Sequence, residues 1–165
     1  MSGAEWAILG GTFLGGAIPW LEVVMVIPAG ILAGANPFLV LLFGLVGNLL
    51  TVWLAAYFGE QIRNWWVERR ARRREAKPES AAVSEKKAAR QQRVNRIMAK
   101  WGMPGIAILG PLGLGTQLSA LAAVALGVRA RSAFLWVGAA TLVWASAAAV
   151  LSVLGVSALG IGVAN

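Results

Sequence analysis

Very few side chains in this sequence can do chemistry, and the ones that can point to holding or moving a solute. Cys and His are absent, as is Asp, so thiolate nucleophiles, imidazole bases, Ser-His-Asp triads, zinc sites and disulfides are excluded. The only carboxylates are seven Glu, and one of them, Glu22, stands at the head of Val23 to Gly59, a stretch without a single charge. An ionisable group at membrane depth is expensive, and its default role is to face a cavity and bind a cation or cycle a proton. A second reading places Glu22 at the interface, or has it cap a short helix begun by Pro19, where the helix dipole favours a carboxylate.

Two further segments carry the same kind of signal. Pro19-Trp20-Leu21-Glu22 and Gly110-Pro111-Leu112-Gly113-Leu114-Gly115-Thr116-Gln117 each read as the start of a half-helix. Free N–H groups and the positive dipole end at such a start can hold a polar or anionic group. Thr116 and Gln117 add a hydroxyl and an amide. The glycines have an alternative use in close helix packing. Asn48 and Thr51 lie one turn apart beside Gly44 and Gly47, which favours interhelical hydrogen bonding, and Thr141 takes a similar place on the second long helix. The candidate substrate- or ion-binding residues are therefore Glu22, Pro19, Pro28, Asn48, Pro111, Gly113, Gly115, Thr116 and Gln117. Arg129 and Arg131 are candidate phosphate or headgroup contacts. Neither a metal nor a cofactor is expected, and no acid–base pair suggests an enzyme.

The elements that must position these residues are helices in a bilayer. Of the 165 residues, 58% are hydrophobic and 13% charged, with a mean hydropathy of +0.70; a soluble domain carries about 25% charged residues. Residues 60–100 hold 13 of the 15 Lys and Arg and five of the Glu, which accounts for the whole net charge of +8. So concentrated a charge reads as a cytoplasmic loop attracted to anionic headgroups, and not as a nucleic-acid surface. The chain divides into a first membrane unit over 1–59, a basic linker over 60–100 with amphipathic helical ends, and a second membrane unit over 101–165. In the linker, Ile62, Trp65 and Trp66, and then Val94, Ile97, Met98 and Trp101, follow helical spacing.

Val23 to Gly59 would make a helix of roughly 55 Å, against a hydrocarbon core of roughly 30 Å, so it must be broken. Pro28, Gly30, Gly34 and Asn36-Pro37 supply the breaks. This leaves Phe38 to Phe58 as a spanning helix after two short pieces, Glu5 to Ala17 and Pro19 to Ala33. The second unit follows the same plan: Trp101 to Leu109, Pro111 to Val128, then a long Ser132 to Leu154. Superposing Gly34-Ala35-Asn36-Pro37 on Gly127-Val128-Arg129-Ala130 aligns the two halves as a repeat. Pieces of nine to thirteen residues are too short to cross, so re-entrant pairs are the simplest model. A re-entrant pair plus one crossing, like three crossings, gives an odd number, and the halves are then inverted. The expected fold is an all-α integral membrane protein of two inverted repeats, each a re-entrant or broken helix pair plus one long transmembrane helix. The positive-inside rule puts the linker, Arg129 and Arg131 in the cytoplasm and both termini outside.

Several short segments resemble the bacterial small multidrug export proteins, a compact relative of the DedA or VTT superfamily. They are Glu22 ahead of Ile27-Pro28, Gly47-Asn48-Leu49-Leu50, Ala55-Ala56-Tyr57-Phe58-Gly59, Gly110-Pro111 to Gln117, and Arg129, Arg131 with Phe134-Leu135-Trp136. The resemblance implies paired re-entrant helices in an inverted arrangement, a bacterial cytoplasmic membrane location, and transport of lipids such as polyisoprenyl phosphates. It matches Glu22 to an acidic residue of the first re-entrant region, and Arg129 or Arg131 to an Arg after the second. Two positions depart from the pattern. Ala29 or Gly30 stands where a second acidic residue is expected, and Gly115-Thr116-Gln117 replaces an Arg. The functional expectation is a small secondary transporter, drug exporter or lipid flippase with its site between the re-entrant helices. An oligomeric ion channel and a membrane adaptor are the alternatives. The expected partners are membrane lipids, a small-molecule or lipid substrate, and further copies of the chain in a homo-oligomer.

Overall fold

The computed structural model describes residues 2–19, 21–75, 92 and 115–158. All regular structure among them is helical. Helix α1 spans Gly3–Ala17, α2 Val23–Leu32, α3 Pro37–Glu75, α4 Thr116–Ala125 and α5 Ala130–Ala158. Two of these, α3 and α5, are long and apolar enough to cross a membrane.

Local chemistry sets the boundaries. At the start of α1, Ser2 Oγ accepts from the Glu5 N–H at 3.2 Å, satisfying one of the unpaired donors of a first turn. The helix stops where Ile18 turns into extended backbone ahead of Pro19, whose missing N–H could not continue it. The Asn36-Pro37 pair is the start of α3: Asn36 Oδ1 accepts from the N–H groups of Phe38 and Leu39 at 3.0 and 3.3 Å, and proline fills the first helical position, which needs no donor. Helices α2 and α4 end alike. In α2, Gly34 (φ 88°) donates to Ile31 O and Ala35 to Gly30 O; in α4, Gly127 (φ 102°) donates to Val124 O and Val128 to Ala123 O. Both are Schellman caps, and they need glycine at the left-handed position.

The sequence displacement that carries Gly34 to Gly127 relates much else. It carries Val23–Leu32 onto Thr116–Ala125 and Pro37 onto Ala130, the first residues of α3 and α5. It also carries the buried stripe Val40, Gly44, Asn48, Val52, Ala56 of α3 onto Ala133, Val137, Thr141, Ala145, Ala149 of α5. Each stripe repeats every four residues, the spacing of one helix face. The packing then crosses over. One buried cluster joins Val23, Ile27 and Ile31 of α2 to Val40 and Leu45 near the start of α3 and to Ala145, Ala149 and Val156 towards the end of α5. The other joins Ala120, Ala123 and Val124 of α4 to Val52 and Ala56, further along α3, and to Ala133 and Val137 near the start of α5. So α3 and α5 run antiparallel, and each short helix lies against both of them.

Small residues let α1 approach. A Cβ on Gly16 would sit 2.5 Å from the Gly44 carbonyl oxygen, so only glycine fits. Outward-facing positions on the long helices are apolar and exposed, among them Leu42, Val46, Leu50, Leu142, Val143 and Leu151. Such a surface suits hydrocarbon and not water.

The elements differ from the sequence expectation in several places, and Pro28 and Gly30, expected to break the apolar run, lie inside α2. Helix α3 does not stop at Phe58 but continues through the linker boundary to Glu75, because no Pro or Gly breaks it beyond Gly59 and Arg, Glu and Ala propagate a helix well. Helix α2 begins at Val23 and not at Pro19, and α4 at Thr116 and not at Pro111; in both, a residue with positive φ sets the start. The second amphipathic end of the linker, around Val94 to Trp101, lies outside the described residues.

Candidate functional site

The first residues of α2 and α4 meet beside Asn48 and Thr51 in the first half of α3 and beside the end of α1. Glu22 holds the N-cap position of α2, but its side chain makes no cap bond to that helix. It reaches instead to α4, where Oε1 accepts from the Thr116 backbone N–H at 2.8 Å. Thr116 is the first residue of α4 and its N-cap, Gly115, has no side chain to offer. The Glu22 carboxylate thus caps the helix of the other half, a short charge-assisted bond at a positive dipole end.

Backbone conformation makes this reach possible. Glu22 has φ 46° and ψ 134°, the only non-glycine residue with positive φ among those described, and Gly115 at the equivalent position has φ 88° and ψ 154°. Glycine adopts this conformation freely, whereas for a glutamate it stores strain of order 1–3 kcal/mol and persists only when surrounding structure enforces it. A Cβ on Gly115 would lie 2.8 Å from Glu22 Oε1 and 3.2 Å from the Pro19 carbonyl, so Gly115 is also the space into which the carboxylate fits.

Beside the carboxylate runs a closed circuit of hydrogen bonds. Asn48 Nδ2 donates to Thr116 Oγ1 (3.0 Å), Thr116 Oγ1 to Gln117 Oε1 (2.9 Å), Gln117 Nε2 to Thr51 Oγ1 (3.0 Å), and Thr51 Oγ1 back to the Asn48 carbonyl (2.9 Å). Asn48 Nδ2 also donates to Gly16 O at 3.1 Å, tying in the end of α1. Asn48 and Thr116 are fully buried and Gln117 nearly so. Two acceptors stay outside the circuit: Glu22 Oε2 and Asn48 Oδ1 are buried and have no hydrogen-bond partner among the described residues. Buried polar atoms are seldom left so, and each such exception invites a ligand or a role.

The sequence candidates separate cleanly. Glu22, Asn48, Gly115, Thr116 and Gln117 converge, with the Pro19 carbonyl at the edge. Pro28 does not join them: it lies further along α2 and lines an apolar groove of about 400 Å³ with Val24, Trp144, Ala147, Ala148, Leu151 and Ser152. Arg129 and Arg131 are exposed at the far end of α4, a ten-residue helix away, or roughly 15 Å. There a Cβ on Gly127 would sit 3.3 Å from an Arg63 guanidinium nitrogen, so these arginines share an end of the protein with the start of the basic run. Pro111 and Gly113 lie outside the described residues. Thr51 takes the interhelical bond that its one-turn spacing from Asn48 predicts, accepting from Gln117 Nε2, while two further participants, Gly16 and Ser119, carry weaker signals in the sequence. The Gly16 carbonyl, which accepts from Asn48, leaves no mark in composition. Ser119, which donates to Gly115 O at 2.6 Å, stands one turn along the face of the Gly115 cap, and that spacing was the available signal.

Residues 22–146 match the family described as "Putative small multi-drug export protein". The chain belongs to this family. The matched region opens at Glu22 and takes in both short helices, all of α3 and the first half of α5, so the junction falls wholly within it apart from the end of α1 and Pro19. No curated protein and no solved structure matches the chain.

Proposed function

We propose that this family member is a small membrane transporter whose substrate or coupling-ion site is the junction of α2 and α4, with Glu22 as the working carboxylate. The observation that carries the reading is the pair of buried, unpartnered acceptors, Glu22 Oε2 and Asn48 Oδ1, at the meeting point of two helix starts. Broken helices meeting at corresponding positions of two halves are the common construction of transporter sites. The constant displacement between the halves, the antiparallel α3 and α5 and the two ten-residue helices support the finer architecture proposed here, inverted repeats with re-entrant short helices, since neither α2 nor α4 is long enough to cross.

Export of a small molecule is favoured over flipping of an anionic lipid. An anionic headgroup would need a positive helix end, and the Glu22 carboxylate already occupies that of α4 and stands beside that of α2 at its N-cap position. The adaptor alternative, in which Glu22 and Gln117 satisfy one another, is disfavoured because Gln117 spends its amide on Thr51 and Thr116. We further propose a bacterial cytoplasmic membrane location with the basic linker inside and both termini outside, anionic lipids around residues 60–100, a homo-oligomeric assembly and no enzymatic activity. The kinship with DedA-type proteins belongs to this proposal.

Proteoliposomes test it. Lipophilic dyes, a fluorescent phospholipid and a polyisoprenyl phosphate analogue are followed under an imposed pH gradient, with electrical recording on the same vesicles. Saturable dye movement lost in Glu22→Gln is the expected result. Lipid flipping without dye movement would move the reading to a flippase, and many charges per opening would move it to a channel.

A further inference from the structure

We infer that the junction binds the ammonium group of an amphipathic amine, with the amine's apolar body lying in the groove between α2 and α5. This deepens the proposed function and rests on the junction being the substrate site.

The argument begins with what the junction lacks. Both of its free atoms are acceptors, Glu22 Oε2 and Asn48 Oδ1, and an acceptor is satisfied only by a donor. Asn48 is fully buried, so water is not freely available to its oxygen. Of the three helix ends at the junction, the start of α2 is positive and has no side-chain cap, and the other two favour a cation. The positive end of α4 is neutralised by Glu22 Oε1, and α1 brings its C-terminal end, the negative pole of a helix, to the same Asn48 amide through Gly16 O. A carboxylate or phosphate would meet two lone pairs and a negative helix end. A primary ammonium carries three N–H donors and one positive charge, which answers both acceptors and offsets the carboxylate.

The second half of the ligand follows from position. The apolar groove starts at Val24, two residues beyond Glu22, and runs past Pro28 between α2 and α5. Counted along the α2 axis alone, Val24 and Pro28 lie about 3 and 9 Å beyond Glu22, a span within the reach of an alkyl chain of moderate length attached to the ammonium. The groove's walls are Ala147, Ala148 and Leu151 of α5, with alanines leaving the room. A charged head at a few placed polar groups and an apolar body against aliphatic walls is the usual division of labour in small-molecule sites.

The test is equilibrium binding to the full chain in lipid nanodiscs, by calorimetry, with octylamine, octanoate, octanol and octyltrimethylammonium as probes. Octylamine is expected to bind saturably, one per chain, and at least tenfold more tightly than the other three, since the quaternary cation lacks donors. Glu22→Gln keeps an oxygen for the Thr116 N–H and therefore the fold, and should weaken octylamine at least tenfold. Ala148→Leu, which fills the groove, should weaken octylamine and leave propylamine unchanged. Octanoate binding as tightly as octylamine, or octylamine affinity unchanged in Glu22→Gln, overturns the inference. Equal loss of both amines in Ala148→Leu overturns the placement of the chain. Transport that depends on Glu22 without any amine binding would overturn the ligand class alone, whereas transport indifferent to Glu22 would overturn the site itself.

Discussion

Asn48 is the residue whose removal this structure prices most directly. Its amide nitrogen donates to Thr116 Oγ1 at 3.0 Å and to Gly16 O at 3.1 Å, from a fully buried position. Asn48→Ala removes both donors and leaves two buried acceptors. Side-chain hydrogen bonds between helices in a bilayer average roughly 0.6 kcal/mol, with the strongest near 1.7, and an abandoned buried group adds about 1 kcal/mol or more. The expected loss is about 2 kcal/mol, or about thirtyfold in the folding equilibrium. Unfolding in mixed detergent micelles measures it. A double-mutant cycle with Thr116→Val, which leaves the backbone N–H to Glu22, should return a coupling of about 0.5–1.5 kcal/mol. The internal control is Thr141, the corresponding residue of α5, whose hydroxyl bonds only the Val137 carbonyl of its own helix among the described residues; Thr141→Val should cost under about 0.5 kcal/mol. Additive effects in the cycle, or Asn48→Ala no worse than Thr141→Val, would refute the claim that this amide ties the two halves together.

Other expectations follow from single contacts. Gly115→Ala puts a Cβ at 2.8 Å from Glu22 Oε1 on a residue with φ 88°, so it should destabilise by about 1–3 kcal/mol and abolish transport, read in the same micelles and vesicles. Gly16→Ala, which meets the Gly44 carbonyl, should cost about 1–3 kcal/mol, while Gly10→Ala, with no atom within 4 Å of the new Cβ, should be neutral or slightly stabilising by thermal unfolding. Because the chain has no native Cys, a Leu49→Cys/Gly138→Cys pair, at a site where Leu49 Cδ2 lies 3.2 Å from a Cβ on Gly138, should cross-link under mild oxidation. Leu49→Cys/Gly155→Cys should not, since Gly155 lies about 25 Å further along α5. A single cysteine at Ser2 should label with an impermeant maleimide on intact cells, and one at Arg72 only after the membrane is permeabilised.

Much of this arrangement is visible in the residues themselves, for physical reasons. Gly34 and Gly127 announce helix ends because a Schellman cap requires a left-handed residue, and that pair alone sets the register between the halves. Glu22 stands out because a lone carboxylate in an apolar run is costly anywhere but at a site. Asn48 and Thr51 betray a polar face by their one-turn spacing. What the sequence withheld is direction. The N-cap position of Glu22 suggests that it serves α2, and only the φ of 46° turns it towards Thr116 instead. Pro19 and Pro111 attract attention as helix starters, yet the helices begin four and five residues later, where the backbone conformation of Glu22 and Gly115 decides. Arg129 and Arg131 have the right chemistry for a phosphate but stand a helix length from the junction, a distance that spacing along the chain does not reveal. The length of α3 was hidden by composition: its change from apolar to basic at Gly59 looks like a boundary, although the backbone has no reason to break there.

The central claim is that the Glu22 carboxylate works at the α2–α4 junction and does not merely hold it together. The most direct measurement is the initial rate of dye export by Glu22→Gln in proteoliposomes, taken beside its unfolding free energy in the same lipid. Because the amide oxygen still accepts from Thr116, stability should stay within about 1 kcal/mol of the parent protein while export falls at least tenfold. Export at the parent rate from a folded Glu22→Gln protein would contradict the account.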